Sequence, residues 1–130
     1  MALLVVWVSG ALLAGRIPLK PPPEPQLQVF AVTVTAYSST RDQTDSTPFI
    51  TGSGTRVHPG TLALSPDMLR RIPYGTTVLL GGRAYTVEDA MHPRWTARAD
   101  IWFPRRRAAI AWGVRKAELV ILAYPAQKRR

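Results

Sequence analysis

Two aspartates stand where a carboxyl is unusual, and their surroundings set the chemistry open to this chain. Asp100 lies inside the apolar run Ala99 to Phe103, followed by Ile101, Trp102 and Phe103, and Asp89 closes the β-rich run Ala84 to Glu88 eleven positions earlier. Aspartate is disfavoured within strands, so the Asp100 carboxyl is expected against apolar rings. Burial of that kind raises a carboxyl pKa and holds the proton nearer neutrality, as a general acid requires. An ion pair with Arg98 or Arg94 would pull the pKa down instead, and both readings stand at this point. The turn at His92-Pro93 lets strand, turn and strand bring the two carboxyls to one end of a sheet or barrel.

The other polar candidates are less specific. Asp42 and Asp45 lie in a long polar stretch from Ser38 to Gly60, where aspartates commonly cap loop amides. Trp95 and Trp102 offer rings that can stack on sugars or fill a core. Trp102 shares a strand face with Asp100 and is the better groove candidate. His92 has no second ligand set beside it, so no metal centre is read there. There is no phosphate-cradling glycine loop ending in Lys-Ser/Thr, no His pair at helical spacing and no serine elbow.

The elements that must position these residues follow from periodicity and turn chemistry. Val29 to Tyr37 alternates, with Phe30, Val32, Val34 and Ala36 on one face, the pattern of a half-buried strand. Thr61 to Leu64 is a short strand, and Ser65-Pro66-Asp67 opens a helical turn with Ser65 as N-cap and Pro66 at the first helical position. Thr76 to Leu80 and Arg83 to Glu88 are joined by Gly81-Gly82, a two-residue hairpin turn. Ala99 to Phe103 is a strand, Arg105 to Trp112 a short helix stopped by Gly113, and Glu118 to Ala123 a final strand. About six short strands with brief helices, and no long crossover helix, give a mainly β fold and a small closed or nearly closed barrel.

The ends bound the domain. Residues 1–15 begin with an uncharged apolar run, Met1 to Ala14, followed by Arg16 and Lys20; that length suits a signal peptide or short anchor better than a spanning helix. Export is therefore expected, with membrane contact through this segment if it stays attached. Residues 16–28 form a linker whose Lys-Pro-Pro-Pro-Glu-Pro stretch favours polyproline II. The barrel domain is read over 29–124, and 125–130 is a basic tail. The chain has no cysteine, so neither a disulfide framework nor a thiolate metal site is open to it. A net charge of +9 over 130 residues attracts polyanions: nucleic acid, anionic lipid, or a wall carrying carboxylates and phosphates. Export removes the first of these. Arg105-Arg106-Arg107 sits where a helix dipole disfavours cations, which suits either wall contact or a solvated face.

Several ordered motifs then converge. Thr35-Ala36-Tyr37-Ser38-Ser39, the loop from Asp42 to Phe49, Gly52-Ser53-Gly54-Thr55, Ile72-Pro73-Tyr74-Gly75-Thr76, Val87-Glu88-Asp89 and Ala99-Asp100-Ile101-Trp102-Phe103 together resemble the 3D domain, named for three aspartates. The resemblance runs from about Val34 to Leu122. It implies a small six-stranded double-psi β-barrel, related to the catalytic domain of membrane-bound lytic transglycosylase A and more distantly to rare lipoprotein A and expansins. The implied activity is non-hydrolytic cleavage of the β-1,4 bond between N-acetylmuramic acid and N-acetylglucosamine in peptidoglycan turnover, with no cofactor. Carried onto this chain, the acid/base is Asp100, and Asp89 either stabilises charge at the cleft or orients backbone. Thr35, Tyr37, Asp42, Asp45, Thr55 and Trp102 border the sugar groove. The family's third aspartate falls at Ser65, with Asp67 two positions later, and Ala90-Met91-His92 replaces the Thr-Gly-Gly often found after the second. The expected partner is a peptidoglycan glycan strand, bound by a monomer. The alternatives are a non-catalytic, expansin-like glycan-binding module and, on charge alone, a cytosolic nucleic-acid binder.

Overall fold

Alternation along the first strand decides which wall of the sheet faces inward: Val32 and Val34 are buried while their neighbours are not. The structure is a computed structural model that describes residues 17–23, 26–39 and 48–127. Its elements are β1 (Val29–Tyr37), β2 (Thr61–Leu64), α1 (Pro66–Leu69), β3 (Thr77–Leu80), β4 (Arg83–Ala90), β5 (Arg98–Trp102), α2 (Arg106–Trp112) and β6 (Arg115–Ala123). The strands close into a barrel in the order β1-β5-β2-β4-β3-β6. Two pairs, β1 with β5 and β2 with β4, are parallel, and the other contacts are antiparallel. The fold is mainly β with two short helices, as the sequence leads one to expect. The apolar leader, together with Asp42 and Asp45, lies outside the described residues.

The inward positions of all six strands meet in one core, which includes Val34, Leu62, Leu64, Val78, Val87, Ile101 and Leu119. Burying each such side chain contributes about 1.5–3 kcal/mol. Met68 of α1 and Ile72 just after it join this core. Trp112 of α2 and Phe103 pack against it and against each other, ring centroids 5.8 Å apart. The β3–β4 hairpin turns on Gly81 and Gly82, both at positive φ (58° and 79°), the left-handed pair that a two-residue turn of this hand needs.

Some boundaries differ from the sequence reading for physical reasons. β6 begins at Arg115, because pairing with β1 recruits exposed residues that carry no apolar pattern. Asp89 lies within β4 instead of after it. Ser65 stands at the N-cap position of α1 but makes no capping bond. Its hydroxyl accepts the Arg98 N–H at 3.0 Å and its own N–H donates to the Arg98 carbonyl at 2.9 Å, so the residue stitches α1 to β5.

One irregularity positions the site. Between β2 and β4 the register runs Leu62 to Val87 and then Ala63 to Asp89, leaving Glu88 as an extra residue. A bulge of this kind flips the alternation beyond it, so Asp89 comes to the face of Ala63 instead of following Val87 inward. Ala63 is also paired with Asp100 on its other side, and Asp100 with Thr35 on β1. Thr35, Asp100, Ala63 and Asp89 therefore form one row across four strands, on the opposite face from the core.

Candidate functional site

The row has a small residue at its centre. Ala63 separates the Asp89 and Asp100 backbones by two strand spacings, roughly 10 Å, and its methyl leaves open floor between the carboxyls. Above that floor lies a groove of about 470 Å³ whose walls include Tyr37, Ile50, Asp89, His92, Trp95 and Asp100.

The two carboxyls are held differently. Asp100 accepts one side-chain bond, from the Thr35 hydroxyl at 3.0 Å. Burial pushes its pKa up to about 6; the Thr35 bond opposes the rise, the Asp89 charge adds to it and Arg98 works against it. Among the described residues no cation pairs with Asp100, and the Arg98 guanidinium lies instead over the Trp95 ring at 3.9 Å. Of the two readings open from sequence, the geometry is that of a buried carboxyl without an ion pair, which keeps its proton to a higher pH than an ordinary aspartate does.

Asp89 is engaged on both oxygens. It takes the Tyr37 hydroxyl at 2.8 Å on one oxygen, and the Gly52 and Ala90 N–H groups at 2.8 and 2.9 Å on the other. Burial, and then the Asp89 charge, raise the Tyr37 hydroxyl pKa far above its ordinary value, so this tyrosine is a fixed donor. Gly52 can come this close only because it lacks a side chain. A Cβ there would stand 2.7 Å from the Tyr74 hydroxyl and 3.3 Å from Asp89 Oδ1. Asp89 thus ties β1, β4 and the loop before β2 together.

The remaining predicted residues fall in different places. Thr35 and Tyr37 hold Asp100 and Asp89. Thr55 belongs to a hydroxyl cluster with Thr51 (2.7 Å) and Ser53 (3.1 Å) that folds the loop on itself, while Thr51 reaches the groove. Trp102 is buried and donates its Nε1–H to Ser39 at 2.7 Å; the tryptophan on the groove wall is Trp95. Sequence reading gave no role to Gly52 or Tyr74, although both lie in motifs singled out above. Among the described residues no group of three or more His, Asp or Glu side chains comes together as a metal site.

No protein-family profile matches this chain, and no curated protein matches it in sequence. Solved structures do match its shape. An expansin of Clavibacter michiganensis in its apo form superposes with a TM-score of 0.54 at 18% identity, over 77% of this chain and 53% of the expansin. An aspartate-to-asparagine mutant of that expansin in complex with cellohexaose gives 0.55 at 17% identity, with the same coverage. The barrel fold is shared with expansins. This chain spans about half the length of those proteins.

Beside the groove the bulge residue Glu88 is clamped on both oxygens. Thr61 Oγ1 donates to Oε2 at 2.8 Å, and His58 Nε2 meets Oε1 at 2.9 Å while His58 Nδ1 faces the Pro59 carbonyl at 2.9 Å. With an acceptor at each ring nitrogen, His58 suits the imidazolium form. The Glu88 bond, followed by the Pro59 carbonyl, raises its pKa above the ordinary 6.5. Stability from this pair is fully present below the unfolded value and is lost as pH rises through the folded one. Thermal melts between pH 6 and 9 are expected to show a decline that His58→Gln lacks; parallel profiles would remove the clamp from the account.

Proposed function

We propose that this chain is a glycan-binding barrel of the cell envelope, exported, which seats a β-1,4-linked sugar strand along the groove over β1, β5, β2 and β4. The reading is carried by the row Thr35–Asp100–Ala63–Asp89, which lays two carboxyls along an open floor with Tyr37 and Trp95 on its walls. An expansin of the same fold in complex with cellohexaose supports it. The apolar 1–15 segment either releases the chain or tethers it.

A second reading, bond cleavage, is favoured by the proton-holding environment of Asp100. Its carboxylic acid would give a proton to the glycosidic oxygen between N-acetylmuramic acid and N-acetylglucosamine as the C1–O bond breaks. The resulting carboxylate would then take the proton of the C6 hydroxyl as that oxygen bonds to C1, closing the 1,6-anhydro ring without water. One carboxyl performs both transfers, unlike the carboxylate pair of most glycosidases. Asp89, with both oxygens occupied by donors, keeps the cleft in shape.

The test incubates the full chain with purified peptidoglycan, measures co-sedimentation and analyses released sugars by mass spectrometry. Sedimentation with anhydro-muropeptides supports both readings. Sedimentation without them leaves a binding protein, and a chain that stays in the supernatant sinks the glycan reading.

A further inference from the structure

The β4–β5 connection is short, and hydrogen bonds hold it at several points. Met91 N–H bonds the Leu64 carbonyl at 2.9 Å, Trp95 N–H the His92 carbonyl at 3.0 Å and Arg94 N–H the His92 Nδ1 at 3.1 Å. Its last residue, Ala97, sits at φ +49°, a left-handed conformation costly for a residue with a Cβ. Asp67 holds it there by accepting the Ala97 N–H at 2.9 Å, next to the Ser65–Arg98 stitch. Asp67 Oδ2 is thus committed to backbone while Oδ1 is buried without a hydrogen-bond partner, and what the Oδ2 bond fixes is the end of the segment that carries Trp95 on the groove wall.

That wall is cationic and aromatic. The Arg94 and Arg98 guanidinium carbons lie 4.7 and 3.9 Å from the centroid of the Trp95 ring. Stacking at these distances holds both cations in place at little cost in side-chain freedom. Among the described residues neither arginine has a carboxylate within 4.0 Å, the ion pair found there being His58 with Glu88. Arg94, Trp95 and His92 line the groove together with Asp89 and Asp100. The Trp95 ring, engaged by two guanidinium groups, serves as a mount for cations.

We propose that Arg94, stacked on Trp95 in the groove wall with Arg98 on the same ring, forms a carboxylate-reading subsite, by which the groove selects glycan strands bearing an acid on the sugar over neutral strands of the same linkage. The inference rests on the glycan-binding reading. A guanidinium presents paired N–H donors that match the two oxygens of a carboxylate, and a pre-oriented one loses less freedom on binding. Asp89 and Asp100 along the floor leave this wall as the place where an acidic substituent is accepted.

The experiment titrates the full chain by calorimetry with a β-1,4-linked N-acetylglucosamine hexamer and with the same hexamer carrying carboxymethyl ethers. The acidic hexamer is expected to bind about tenfold tighter, the scale of one charge-assisted contact, with the advantage shrinking in salt. Arg94→Gln should bring the two hexamers within about threefold of each other. Arg83→Gln removes the same charge at the far end of β4, roughly 20 Å from the site at strand rise, and should keep the preference. Equal binding of the two hexamers by the parent chain overturns the subsite and leaves the glycan reading intact. So does an equal loss of preference in the two variants, which would assign it to net charge. Failure of both hexamers to bind overturns the subsite and the glycan reading together.

Discussion

Asp100→Asn is expected to make the barrel more stable at pH 7 while removing any cleavage of glycan. The folded-state carboxyl titrates at about 6, against 3.8 for an unperturbed aspartate. The native state therefore binds its proton more tightly than the unfolded chain does. That advantage is fully present below about 3.8 and lost as pH rises through 6. At ~1.4 kcal/mol per tenfold in proton affinity, the ionised carboxylate costs the fold on the order of 2–3 kcal/mol at neutral pH. Asparagine has the same shape, carries no charge and still offers an oxygen to the Thr35 hydroxyl. The variant should melt roughly 10 °C higher at pH 7, and its melting temperature should no longer fall between pH 4 and 7. Loss of the acid should also cut anhydro-sugar release about 10²- to 10⁴-fold if the parent produces any, with sedimentation onto peptidoglycan retained. A variant that melts lower at pH 7 would show that Asp100 is a stabilising carboxylate and would remove the physical basis of the acid/base reading.

Asp89→Ala should act in the opposite direction. The substitution strands three donors at once: the Tyr37 hydroxyl, the Gly52 N–H and the Ala90 N–H. Tyr37 is largely shielded from water, and leaving a buried donor unpaired costs about 1–3 kcal/mol. The two backbone groups are exposed and recover part of their bonding from water. A net loss of roughly 3 kcal/mol is expected, measured by urea unfolding with the slope unchanged. Glycan binding should fall with it, because the loop carrying Ile50 and Thr51 into the groove is tied to β4 through Gly52. Unchanged stability would mean that the frame stands on the Ser53–Glu88 backbone bond alone and that Asp89 is free to meet the sugar directly.

The sequence made the strands readable wherever one face alternates, as in Val29–Tyr37, and wherever punctuation is strong, as at Gly81-Gly82 and Gly113. Pairing was not readable, because it joins residues far apart in the chain. Nothing near Ala63 announces that it stands between Asp89 and Asp100. The bulge at Glu88 was invisible for a related reason: Val87-Glu88-Asp89 looks like simple alternation, and only the partner strand reveals the extra residue. The unusual setting of Asp100 was legible from its apolar neighbours. The placement of Trp95 on the groove wall, with Trp102 buried, depends on how the β4–β5 turn folds back, which Ser65 and Asp67 help fix from a distant segment. The third-aspartate position shows the same limit. Ser65 looked like a helix cap, and its hydroxyl was taken by a backbone amide 33 positions away.

The order of strands around the barrel also governs when the chain can fold. β1 hydrogen-bonds only to β5 and β6, so the first strand made has no partner until the last third of the domain has followed it. A nascent chain emerging from its N-terminus therefore cannot lay down the wall that carries Thr35 and Tyr37, and closure waits for Ala123. Such delayed pairing slows folding toward the millisecond-to-second range typical of non-local β topologies. It also keeps the polypeptide threadable until its C-terminal strand is free, so a transport machine that passes only unfolded chains would meet no finished domain in its path.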